Sequence, residues 1–297
     1  MSSSFPFGDW IQPFQIEALG VRGRLVRLGP AVETVLGRHR YPAAVAGMLA
    51  ETLALTAVLA SAFKYDGVFT LQTQGDGAIG MLISDVTSDG KLRGYARFDS
   101  DRLAAARPSA SGGPVPRLLG AGHLAFTVDQ GPDMDRYQGI AELQGATLAD
   151  CLHAYFRTSE QLQTAIGTAV SPQSRAAALM VQRLPAAKNV LDSADDDWRR
   201  AVILMSTVTE AEMLDPGLAD SDLLYRLFHE DGVRLFRQRP LRHGCRCSRD
   251  KVAATLGSFA RAEVEDMAEN GAVTVTCEFC KEDYVFDEAA LAELFAP

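Results

Sequence analysis

The chain has 297 residues, 47% of them hydrophobic, and a formal net charge of −9. That is enough apolar material for a sizeable core and for more than one folding unit. An acidic chain is a poor general binder of polyanions, so broad contact with nucleic acid or an anionic membrane is not expected, and the one basic stretch, Arg234 to Arg249, does not reverse that.

The first residues, MSSSFPFGDW, lack a basic stretch followed by an apolar run, so no secretory signal is expected and the chain reads as cytoplasmic. In that compartment five cysteines argue against a resting disulfide framework. Residues 14–28 alternate as strand, and Pro30 and Pro42 sit where prolines start helices. Residues 42–63 form a long Ala/Leu helix; Glu51 and its threonines mark a buried core helix rather than a membrane span. Strands follow at Val68–Gln74, Gly80–Val86 and Lys91–Phe98, the last two joined through Ser88-Asp89-Gly90. Residues 108–122, rich in Pro, Gly and Ser, read as a surface loop. Two more strands are predicted at His123–Val128 and Gln138–Leu143, then a helix from Thr147 to about Val170 and another over 172–184. The acidic run Ser193–Asp197 precedes helices over 198–214 and 221–231. From about 241 a small unit is expected: a C-x-C turn, a helix over 249–269, a strand at Ala272–Thr276, a C-x-x-C turn, a strand near Tyr284–Phe286 and a final helix begun by Asp287. The fold class is therefore α+β: a core over 1–190 with sheets and helices, a helical middle segment over 191–240, and a small C-terminal domain over 241–297.

Gly75-Asp76-Gly77-Ala78-Ile79-Gly80 fits G-x-G-x-x-G, but the motif binds a pyrophosphate only when it opens a helix, and here alternating strand pattern follows. A dinucleotide site is not expected. Cys151, beside Leu148, Leu152 and Tyr155, reads as a buried inert thiol.

The chemistry concentrates in four cysteines: Cys245 and Cys247, then 29 residues, then Cys277 and Cys280. Two close pairs that converge in space supply the four thiolates of a tetrahedral zinc site. With these four in place, His243 is not needed as a ligand. The tight C-x-C pair also places two thiols where they can oxidise to each other. Arg242, Arg246 and Arg249 are expected to favour thiolate over thiol.

The spacing C-x-C-x29-C-x-x-C, within HGCRCSRDKV and VTCEFCKEDYVFD, resembles the zinc domain of the Hsp33 family of redox-regulated bacterial chaperones. Similar blocks run through the rest of the chain: LQTQGDGAIGMLISDVTSDGKLRGYAR, YQGIAELQG and LLYRLFHEDGVRLF. Lys281 stands where a glycine is common, and the 108–122 loop is longer than usual. The resemblance implies a homodimeric, ATP-independent holdase for unfolded client proteins, and not an enzyme. It implies one Zn²⁺ per chain on Cys245, Cys247, Cys277 and Cys280 in a reduced, inactive state. Oxidation then forms Cys245–Cys247 and Cys277–Cys280 disulfides, releases zinc and exposes client-binding surface. Two other classes compete: a thiol–disulfide oxidoreductase using the C-x-x-C, which lacks the strand-to-helix setting, and a zinc-ribbon nucleic-acid module, which the acidic charge opposes.

Overall fold

The computed structural model describes residues 7–106, 112–131, 134–157, 162–185 and 194–295. The N-terminal six residues, the start of the 108–122 loop and the 190/191 boundary lie outside them. The chain divides into two units, Met1–His243 and Gly244–Pro297.

In the first unit, β1 (Trp10–Ile16) and β2 (Val21–Leu28) pair antiparallel from Trp10↔Arg27 to Ile16↔Val21, with Gly20 at φ +59° in the turn. The alternation over 14–28 thus spans two strands. Helix α1 (Pro30–Gly37) begins at its proline, and both Asp9 carboxylate oxygens accept first-turn amides, from Gly29 and Ala31, at 2.8 Å. Pro42 is the N-cap of α2 (Ala43–Ala60). This helix is long and apolar enough to cross a membrane, but 78% of it is buried inside the fold. Its Thr52 and Thr56 hydroxyls donate to carbonyls one turn back, at 2.7 Å each, so they are tolerated there.

Each central predicted strand is present, its ends shifted by at most one residue: β3 (Val68–Gly75), β4 (Ile79–Thr87), β5 (Lys91–Phe98), β6 (Gly122–Asp129) and β7 (Tyr137–Glu142). A short α3 (Ser100–Ala105), N-capped by Asp99, follows β5. The G-x-G-x-x-G glycines lie at the β3–β4 turn and in β4, and no helix begins there. A Cβ on Gly75 would stand 2.1 Å from the Leu119 carbonyl oxygen and one on Gly77 2.4 Å from that of Leu118, so these two glycines serve close backbone packing. The described end of the 108–122 loop is not all surface: residues Val115–Leu119 form a π-helical turn that buries Val115, Leu118 and Leu119.

Two helix predictions are corrected. Among the described residues the helix over 147–170 gives α4 (Leu148–Tyr155) and then β8 (Thr164–Ser171), and 172–184 becomes β9 (Arg175–Arg183). They form one hairpin, from Thr164↔Gln182 to Ser171↔Arg175. For β9 the reason is burial on both faces. Ala176, Ala178 and Met180 join the core around α2, while Ala177, Leu179 and Val181 face a second core. A strand buried on both sides loses its alternation, and its alanines imitate a helix.

Helices α5 (Ala194–Ser206), α6 (Glu210–Leu214) and α7 (Asp220–Phe228) form that second core, with Leu223, Leu224, Leu227 and Phe228 packing with Phe14, Ile16 and Leu25. The single helix expected over 198–214 breaks where Thr209 and Glu212 form a capping box. Short strands β10 (Arg234–Leu235) and β11 (Arg239–Pro240) both pair with β1, giving a sheet ordered β10-β1-β2-β9-β8. The other sheet runs β12-β5-β4-β3-β6-β7, with β12 (Arg242–His243) parallel to β5. Helix α2 packs against strands of both sheets.

The second unit holds α8 (Arg249–Leu256), α9 (Arg261–Asp266), β13 (Ala272–Thr276), β14 (Asp283–Asp287) and α10 (Glu288–Leu294). The helix expected over 249–269 is two, separated at residues 257–260. Asp287 caps α10 as expected, accepting from the Ala290 amide at 2.9 Å. Its core is small: Leu256, Val264, Val273, Phe286 and Leu291.

Candidate metal centre

All four predicted ligands lie in the second unit. Cys245 and Cys247 sit on the irregular segment that runs into α8. Ser248, in extended conformation, caps that helix through the Lys251 amide at 3.3 Å, and the Lys251 ammonium donates to the Arg246 carbonyl at 2.8 Å. The C-x-C, expected as a turn, lies on irregular chain. Cys277 and Cys280 occupy the turn between β13 and β14, whose register runs from Ala272↔Asp287 to Thr276↔Asp283. The Cys277 amide donates to the Glu282 carbonyl at 2.9 Å and the Lys281 amide to the Cys277 carbonyl at 2.8 Å. Lys281 closes this knuckle at φ +56°, a left-handed conformation that favours glycine. A C-x-x-C between two strands is not the helix-start setting of a thiol–disulfide oxidoreductase.

The four sulfurs lie within 4.8 Å of one another, and no disulfide joins them. Cys245 Sγ is 3.8 Å from Cys277 Sγ, and Cys247 Sγ is 3.4 Å from Cys280 Sγ. A disulfide has its sulfurs about 2.05 Å apart. Ligands about 2.3 Å from a tetrahedral zinc ion stand about 3.8 Å from each other. The spacing therefore fits four ligands of one tetrahedral ion. The set can hold a metal ion.

Burial raises the thiols of Cys247 and Cys280 above the ordinary cysteine range, and at Cys280 the three neighbouring sulfurs add to the effect. Four thiolates within 4.8 Å of one another repel each other unless a cation offsets their charge. Of the three arginines expected to favour thiolate, two are engaged elsewhere. Arg249 instead donates to the Val285 carbonyl at 2.7 Å and lies over the Phe286 ring, and Arg242 pairs with Asp89 in the first unit.

Tyr284 is the functional residue that sequence reading missed. Its hydroxyl donates to Cys247 Sγ at 3.1 Å, and that bond raises the phenol above its ordinary range. Groups that hydrogen-bond a metal ligand orient it and tune its basicity. The hairpin register places Tyr284 opposite Val275, two residues before Cys277, which is the only signal the sequence held for it. His243 lies on β12 in the first unit and pairs with Leu92, outside the sulfur cluster. Cys151 is fully buried in α4. Its thiol donates to the Thr147 carbonyl at 3.4 Å, and burial pushes it up to about 11, as fits an inert thiol.

The family model for "Hsp33 protein" matches residues 9–287. A 33 kDa chaperonin of Caulobacter vibrioides is 42% identical over 287 residues, covering 94% of this chain and 95% of its own. One from Ectopseudomonas mendocina is 38% identical, over 97% and 95% of the two chains. The crystal structure of the 33 kDa chaperonin (heat shock protein 33 homologue) of Thermotoga maritima superposes with a TM-score of 0.79 at 24% identity, covering 96% of this chain and 97% of that one. A match over nearly the whole length, with the four-sulfur cluster in its last unit, places this chain in the Hsp33 family of chaperones.

Proposed function

We propose that the protein is a redox-regulated, ATP-independent holdase of the cytoplasm, acting as a homodimer on unfolded or partly unfolded proteins and catalysing no reaction. Family membership supports the chaperone role. The observation that carries the switch is the four-sulfur spacing of the second unit. On this reading residues 1–190 form the core and dimerisation domain, 191–240 a metastable helical linker and 241–297 the redox switch. Cys245, Cys247, Cys277 and Cys280 hold one Zn²⁺ in the reduced state, which supplies folding free energy to a unit with a small core.

In the switch each pair of zinc-bound thiolates gives up two electrons, and two protons are taken from solvent. An S–S bond forms at Cys245–Cys247 and at Cys277–Cys280, and one peroxide per bond is reduced to two waters. Oxidised sulfurs no longer ligate, the second unit loses its support, and apolar surface becomes available to clients.

The test measures zinc, free thiols and suppression of client aggregation on the same samples, before and after peroxide at raised temperature. We expect one zinc per chain lost with four thiols, Cys151 staying reduced, and aggregation suppressed only after loss. Full zinc retention in Cys277→Ser, or no gain in suppression on oxidation, overturns the reading.

A further inference from the structure

Strand β7 ends one side of its six-stranded sheet, and among the described residues no strand pairs with its outer side. An open edge offers its backbone donors and acceptors to another chain, and sheets that stay single blunt it with proline, lysine or a bulge. This edge has none of these. Its sequence is YQGIAE, and its register with β6 runs unbroken from His123↔Glu142 to Val128↔Tyr137. It is also flanked by bare apolar side chains: Met134, Tyr137 and Ile140 are 56%, 41% and 59% exposed.

The ladder fixes which groups face outward. The Leu143 amide donates to the Gly122 carbonyl at 3.0 Å, continuing the β6–β7 register by one pair. Bonding alternates along an antiparallel pair, so Tyr137, Gly139 and Ala141 also turn their backbone groups to β6, while Arg136, Gln138, Ile140 and Glu142 turn theirs outward. One face of the strand is already filled, since a Cβ on Gly139 would stand 2.5 Å from the Phe126 ring and from the Tyr155 hydroxyl. Ile140 lies on the other face, and is exposed.

We propose that β7 pairs antiparallel with β7 of a second copy of the chain, about a two-fold axis at Gly139. This names the surface behind the homodimer proposed above, and it rests on that reading. Outward-facing residues can bond only with outward-facing ones, so few registers are open. An axis at Gly139 sets Gln138 opposite Ile140 of the second copy, and Arg136 opposite Glu142, at both ends of the ladder. The two Ile140 side chains become diagonal neighbours on one face. An axis one residue on, at Ile140, obeys the same bonding rule but opposes Arg136 to Gln144 and Glu142 to Gln138. Charge complementarity therefore selects Gly139. Arg136 already meets Asp129 of its own chain at 3.0 Å, but that pair is exposed and weak, so it does not compete strongly. The Glu142 carboxylate accepts from the neutral Gln144 side chain, which leaves its charge to be matched.

The test is sedimentation equilibrium of the full-length, reduced, zinc-loaded protein, which reads the dimer dissociation constant. Arg136→Glu and Glu142→Arg each set like charges opposite one another at both ends of the ladder, and each should raise the constant about tenfold or more. The double variant restores opposite charges and should return it to near the parent value. Gln138→Pro removes an outward donor without touching the β6 ladder and should weaken the dimer likewise. Arg199→Glu, on an exposed surface pair, leaves it unchanged. Should Gln138→Pro not fold, the charge exchange decides alone. A dimer unaffected by either single reversal overturns this inference and leaves the homodimer reading standing, as does a double variant no tighter than the singles. A parent that sediments as a monomer at every concentration overturns both. Loss of binding of a labelled extended apolar peptide in Gln138→Pro, with the dimer unaffected, overturns it in favour of a client strand added to this edge.

Discussion

Replacing Arg27 with Met tests what holds the α6–α7 connection on the sheet. The Arg27 and Asp220 side chains are each only 3% exposed. The guanidinium donates to the Leu218 carbonyl at 2.5 Å and the Glu212 carbonyl at 2.9 Å, and so caps the end of α6 from β2. Asp220 accepts from the Trp10 indole at 2.5 Å and from Gln238 at 3.2 Å. Burial opposes both charges, lowering the pKa of Arg27 and raising that of Asp220, so the pair itself adds little net stability. Removing one member is different. It leaves Asp220 buried beside two neutral donors and strips the carbonyls of their partner, a loss of about 3–5 kcal/mol. Hydrogen exchange of residues 210–228 should report that loss as easier local opening. Arg27→Met/Asp220→Leu should recover part of it, because the stranded charge goes too. A change under about 1 kcal/mol in the single variant, or strict additivity in the double, would refute the reasoning.

Three further outcomes are expected. Tyr284→Phe removes the hydroxyl bonded to Cys247, and zinc affinity measured against a chromophoric chelator should fall about 10–100-fold; an unchanged value would mean the bond has no bearing on the metal. Lys281→Gly relieves the left-handed knuckle and should stabilise the zinc unit by about 1 kcal/mol in thermal melts, whereas a loss would show that Lys281 contributes more than backbone. Burial raises Glu51 to about 7, with the Thr168 hydroxyl at 3.0 Å as its bonded partner, so the fold favours its protonated form. Stability from this group is full below pH 4.5 and is lost as pH rises through about 7, on the order of 3 kcal/mol in all; denaturant titrations from pH 5 to 9 should show that slope, and Glu51→Gln should flatten it.

What the sequence disclosed follows what its local signals encode. The central sheet has one exposed face, so the alternation of Val68–Gln74 and Lys91–Phe98 survives and the strands can be read. Strand β9 is buried on both faces and reads as helix, because nothing in AAALMV tells a doubly covered strand from a core helix. The breaks at Thr209 and at residues 257–260 were missed because apolar spacing continues across them. The four sulfurs were legible because two motifs at fixed spacing allow few arrangements. Tyr284 was not, because its role depends on where a hairpin register carries a phenol. Lys281 was noticed as a departure, and the structure supplies its meaning: a left-handed turn that the motif requires and the side chain must accommodate.

On the proposed reading, the second unit converts chemistry into folding because its own resources are slight. Its core is five buried side chains, against two large clusters in the first unit. Zinc binding in small peptides contributes about 10–16 kcal/mol, far more than such a core leaves after chain entropy. The metal-competent geometry needs sulfurs 3.4–3.8 Å apart, whereas a disulfide draws two of them to about 2.05 Å and removes them as ligands. No intermediate arrangement satisfies both, so oxidation cannot be absorbed by small adjustments of the knuckle. In the first unit the lone cysteine is buried and inert, and α2 packs against strands of both sheets. Loss of the ligand set is therefore confined in origin to one unit, and any wider exposure must come from segments whose stability is already low. Breaking Arg27–Asp220 probes one of them without touching a sulfur.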